Sequence, residues 1–171
     1  MSLLYKRDPE ERNVIVICLV FASVDVLKAI FKTFSEEYDM KSIILKQKYD
    51  NNPAVNVGMS LAAFDKFRER SEEMARFLIE LSCPDSTLVN CNSEESYTRY
   101  LNLTDRLGRT SLHIACLHGL DLNIVSRMVL EGKADVSLED IEGQTPLCYA
   151  VDQDRVELVQ FFTKQFGFGK C

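Results

Sequence analysis

The side chains in this sequence best suited to chemistry are His113 and His118, with six cysteines: Cys18, Cys83, Cys91, Cys116, Cys148 and Cys171. A nucleophile needs a base beside it and a third group to orient that base. No Gly-rich phosphate loop, H-x-x-x-H pair or G-x-S-x-G elbow supplies such a set. Cys83, Cys91, His113 and Cys116 together have the right donor atoms for zinc, but they lack the paired C-x2-C spacing that zinc usually takes. His118 is expected at the end of a helix, exposed and without a partner. The expectation is a protein that is not an enzyme and that holds no metal and no cofactor.

The totals narrow the class further. The 171 residues carry a formal net charge of −6, with 46% hydrophobic and 27% charged side chains, an ordinary globular balance. An acidic chain with no basic run is poorly suited to a phosphate backbone, so direct nucleic-acid binding is not expected. The longest apolar run, Val14–Ala22, is too short to cross a bilayer, which takes about 20 residues, and reads as a buried helix. Mixed charge before it, and the lack of a cleavage site after it, argue against a secretory signal. The cysteines are therefore expected as reduced thiols in the cytoplasm or nucleus.

What positions these residues is a sentence written twice. Asp105–Ala115 reads DRLGRTSLHIA and Asp140–Ala150 reads DIEGQTPLCYA, so Gly108, Thr110, Leu112 and Ala115 recur 35 residues later as Gly143, Thr145, Leu147 and Ala150. In the second copy Asp140 and Gly143 bracket a tight turn, and Thr145-Pro146 reads as a helix start. A short helix follows to Asp152, and then an amphipathic one through Val156, Leu158, Val159 and Phe162. The first copy has the same plan: a turn at 105–108, helices at 110–118 and 122–130, and a stop at Gly132. Such a unit cannot bury its apolar face alone and must stack on neighbours.

This plan resembles the ankyrin repeat, whose pattern runs D-x-x-G-x-T-P-L-H-x-A and closes on G-A-D, with a usual period of about 33 residues. Ser111 stands at the usual Pro and Cys148 at the usual His. The first departure weakens a helix start and the second loses a bond to the turn. The resemblance implies an all-α ankyrin-repeat solenoid of stacked helix-turn-helix units with extended fingers. It makes His113 structural, its ring bonded to turn backbone. Upstream the match is degenerate. Residues 1–8 are expected as a tail and 9–171 as one array, with units at about 11–49, 50–104, 105–139 and 140–171. A helix pair at 13–22 and 24–34, with a finger at 43–50, forms the first unit or a generic helical cap. Residues 82–100 read as a long polar loop.

By the family's pattern the free positions of a unit lie at its finger tip and at the end of its first helix. Carried across, they are Arg106, Leu107, Arg109, Leu117 and His118 in the third unit, and Ile141, Glu142, Gln144, Asp152 and Gln153 in the fourth. Asn51, Asn52 and Ala54 are the candidates in the second. The implied function is binding of another protein, with no membrane and no small-molecule substrate. Arg106 and Arg109 would make one finger basic, while Glu139, Asp140, Glu142 and Asp152 make the next acidic, which suits a partner of mixed charge. The stretch TDRLGRTSLHIACLHG is similar in flavour to inhibitors of the Rel/NF-κB type, and four-repeat inhibitors of cyclin-dependent kinases match in size. The alternative is a targeting segment of a larger enzyme or channel, this chain being a fragment.

Overall fold

The computed structural model describes residues 4, 6–10, 12–21, 23–50, 52–60, 68–82 and 98–167. Asn51, Cys83, Cys91 and Cys171 lie outside them, as does 83–97 of the expected loop. Ser82 ends a helix and Thr98–Tyr100 belong to another, so that loop is shorter at both ends than its polar composition implied.

Helices alternate between two rows. The inner row is α1 (Val14–Val20), α4 (Ala54–Ser60), α7 (Ser111–Leu117) and α9 (Pro146–Asp152). The outer row is α2 (Val24–Phe34), α5 (Arg68–Ser82), α8 (Leu122–Leu130) and α10 (Val156–Phe166). Within each row every helix packs on the next, and each inner helix packs on its own outer helix. Extra elements are α3 (Met40–Leu45), α6 (Thr98–Leu101) and a hairpin of β1 (Lys48–Tyr49) with β2 (Asn52–Pro53). No helix among the described residues is long and apolar enough to cross a membrane.

The rows form because each helix has one apolar stripe. In α2 the buried residues are Val24, Leu27 and Phe31, with Ile30 and Phe34 at the edge. In α10 the stripe runs at i, i+4 through Leu158 and Phe162, flanked by Val159 and Phe161, so Val156 falls outside it and is exposed. The buried stripes join in one continuous core from Leu4 to Phe162.

The expected finger at 43–50 is partly helical. Asp39 accepts the amide of Ser42 at 3.0 Å and starts α3, whose Ile44 and Leu45 are fully buried; only the hairpin beyond it is extended. At the other end, Asp8 receives the amides of Glu10 and Arg12 and the Arg12 guanidinium, while its own N–H donates to Arg12 O at 2.9 Å. Those are the bonds of the Asp105 turn, made by a residue that composition alone left in a tail.

Gly108 and Gly143 have φ of +74° and +75°, which their turns require. A Cβ at Gly143 meets nothing within 4 Å, whereas at Gly108 it would lie 3.0 Å from the Ile141 amide nitrogen and 3.3 Å from Asp140. Gly143→Ala is therefore expected to cost about 1 kcal/mol in conformation alone, and Gly108→Ala about 2–3 kcal/mol because it also pushes two fingers apart. Urea midpoints measure the difference; equal values would remove the contact between the turns.

Candidate protein-binding face

In a stack of this kind the fingers and inner helices share one side. Each finger is built around an aspartate. Asp105 Oδ1 accepts the amides of Leu107 and Arg109, both at 2.9 Å, and its other oxygen takes the Arg109 guanidinium at 2.8–2.9 Å. Asp140 accepts the amides of Glu142 and Gln144 at 2.9 Å and the Tyr149 hydroxyl at 2.7 Å. Burial pulls the Asp140 carboxyl upward, but these donors outweigh it and hold it below the usual carboxylate range. Burial, with the same contact added to it, pushes the Tyr149 hydroxyl up to about 12.

The two fingers are joined to each other. Ile141 N–H donates to Leu107 O at 3.1 Å, so the tips stand side by side. His113 ties the third inner helix to the fourth finger. The Thr110 amide donates to its Nδ1 at 3.1 Å, which leaves Nε2–H to donate to Gln144 O at 3.0 Å. Burial depresses its basicity, partly offset by the Gln144 carbonyl and Asp140. This is the structural role that the resemblance implied.

The expected site residues divide into two sets. Leu107 (46% exposed), Ile141 (68%), Arg106, Glu142, Asp152 and Gln153 present side chains to solvent. The others are drawn into the scaffold. Arg109 is half-buried against Asp105, and Gln144 is half-buried with both backbone groups bonded. Leu117 is half-buried at the end of α7. His118, expected exposed and alone, is half-buried at the helix C-cap, donates its N–H to Ile114 O at 3.0 Å and is not without a partner. Ala54 is buried because it opens α4 and donates its N–H to Gln47 O. Asn52 is half-buried in β2.

Two bonds alter the expected electrostatics. Arg106 meets Asp50 at 2.6 Å, and Arg109 is neutralised by Asp105, so the third finger is not a basic surface. Ser111 does more than fill the usual Pro position, since its hydroxyl donates to Leu101 O at 2.5 Å. Cys148 keeps a contact of 3.4 Å with the Thr145 hydroxyl, so the turn is not left bare. Cys116 is fully buried, and burial pushes its thiol well above the ordinary range, which makes it a core side chain. No group of three or more His, Cys, Asp or Glu side chains fit to hold a metal occurs among the described residues.

No curated protein matches this sequence. Among solved structures the chain is similar to one in the crystal structure of the yeast ribosomal protein Rps3 in complex with its chaperone Yar1. The identity is 18%, the TM-score is 0.66, and the match covers 92% of this chain and 95% of that one. At that identity the likeness is one of fold. The family description "Ankyrin repeats (3 copies)" matches residues 67–169, more than half of the sequence. With turns, paired helices and stacking in agreement, the chain belongs to the ankyrin-repeat family, whose units are protein-interaction modules.

Proposed function

We propose that the chain holds a partner protein against its finger side, with Leu107 and Ile141 as the central apolar contacts. The observation that carries this reading is their pairing. Two large aliphatic side chains stand exposed on adjacent fingers, and the backbone bond between their turns keeps them together. Covering such a pair removes apolar surface from water while disturbing no packing inside the array. The compartment is the cytoplasm or nucleus, in keeping with the free thiols of Cys18, Cys116 and Cys148.

Within this reading the chain acts by occupying its partner. Two precedents have that form: inhibitors of the Rel/NF-κB type, which the stretch 104–119 resembles, and the chaperone Yar1 complexed with Rps3. Leu107→Ala with Ile141→Ala is expected to weaken partner binding by about 2 kcal/mol, roughly thirtyfold, with the unfolding midpoint unchanged. Affinity capture from cell extract compares this variant with wild type. Val26→Ala with Leu130→Ala, which removes exposed aliphatics from the outer helices, is the control. Proteins captured by wild type and by the control should be lost with the finger variant; their retention there would place the binding face elsewhere.

A further inference from the structure

We infer that the segment bound at the finger tips is basic, an apolar residue flanked by lysine or arginine, with its cations directed toward the fourth unit. This rests on the finger side being the binding face, and it adds the chemistry of what binds there.

The argument is which charges around the Leu107–Ile141 pair are already satisfied. On the third-unit side they are: Arg106 is paired with Asp50, and Arg109 with Asp105. Asp140, beneath the fourth finger, is occupied by two amides and a phenol. Glu142 is different. It is the residue next to Ile141 at the finger tip, it is exposed, and it makes no ion pair among the described residues. Asp152 and Asp154, at the end of the fourth inner helix and in the turn after it, are exposed and equally unpaired. The neighbouring Arg155 does not neutralise them, because its guanidinium is turned onto Gly119 O at 3.2 Å.

Beside the apolar pair, then, stands the open carboxylate of Glu142, with those of Asp152 and Asp154 further along the same unit, while the charges of the third finger are paired. An acidic segment would be repelled by these carboxylates and could draw only on arginines whose charge is already offset by Asp50 and Asp105. A basic one gains long-range attraction and is steered to the ridge. Exposed carboxylates each contribute little at contact, so the charge should show mainly in selectivity and salt dependence.

The test uses two fluorescein-labelled twelve-residue peptides, one alternating leucine with lysine and one alternating leucine with glutamate. Binding to the full chain is measured by anisotropy at low and moderate salt. The lysine peptide should bind at least tenfold more tightly than the glutamate peptide, and Glu142→Gln with Asp152→Asn should weaken it about fivefold and flatten its salt dependence. Asp25→Asn with Glu80→Gln removes the same charge from the outer helices and should change it less than twofold. Equal binding of both peptides, no binding of the lysine peptide, or equal effects of the two charge variants would overturn the inference. Leu107→Ala with Ile141→Ala separates the two readings. If it abolishes binding while the charge variants do nothing, the finger face stands and the basic segment falls; if it too does nothing, both fall.

Discussion

Replacing His113 by alanine is expected to lower stability by about 3–4 kcal/mol, whereas asparagine at the same position should cost only about 1 kcal/mol. Alanine removes the acceptor for the buried Thr110 amide and the donor to Gln144 O, and it leaves a cavity where the ring packs edge-on to Tyr149 at 5.7 Å. Asparagine is the substitute that the molecule itself uses. In the second unit Asn56 takes the equivalent place, its Nδ2 donating to Arg109 O at 3.1 Å as His113 does to Gln144 O. There the residue three positions earlier is Pro53, which has no N–H, and Asn56 Oδ1 is left without a partner. At position 113 the Thr110 amide would satisfy that oxygen. Similar losses for alanine and asparagine would show that ring volume, not the two hydrogen bonds, is what matters.

The same residue sets a pH dependence. Protonating His113 would place a hydrogen on Nδ1, against the Thr110 amide, and would leave a charge in a buried site. Its folded pKa is therefore depressed below the ordinary 6.5, with burial the first cause. A group depressed in this direction binds its proton more readily unfolded. Its contribution to stability is fully present above about pH 6.5 and is lost as the pH falls below that value toward the folded pKa. Asp140, held below the usual carboxylate range, loses its contribution only in a lower window, as the pH falls through its folded pKa. Wild type should thus lose stability between pH 7.5 and 5, and His113→Asn should lose less over that interval.

What the sequence made readable follows from how locally each feature is determined. The third and fourth units could be recognised because aspartate, glycine and threonine act on backbone within five residues of themselves, so their spacing reports their bonds. The turn at Asp8 makes the same bonds with Pro9, Glu10 and Arg12 around it, and Asn13 starts the helix by accepting the Val16 amide where Thr110 stands in the third unit. Different residues there perform equivalent bonding, and a pattern of residue names does not reveal that. The finger-tip positions of Leu107 and Ile141 were legible because the turn dictates them. The charge of the face was not. Arg106 finds Asp50 across 56 positions, a meeting that only stacking of the second and third units creates.

The other large effect concerns how the third finger is anchored. Leu101 is fully buried, and its Cδ1 lies 2.5 Å from where a Cβ on Gly132 would be; the Met128 carbonyl oxygen is 2.9 Å from the same point. Gly132 is thus a glycine for lack of room, not for a left-handed backbone. Leu101→Ala is expected to cost about 3–5 kcal/mol through transfer and cavity. Gly132→Ala should cost about 2 kcal/mol, because one neighbour is a movable methyl and the other is backbone. The double variant should fall short of the sum by about 1 kcal/mol, since the shortened side chain at 101 gives the new methyl space. Strict additivity would mean that the two positions do not touch. The Leu101 carbonyl also accepts the Ser111 hydroxyl at the start of the inner helix, and that backbone acceptor survives the substitution, so the finger that carries Leu107 keeps its place in the folded molecule. Partner binding by Leu101→Ala should therefore fall with its unfolded fraction, while affinity per folded molecule stays that of wild type.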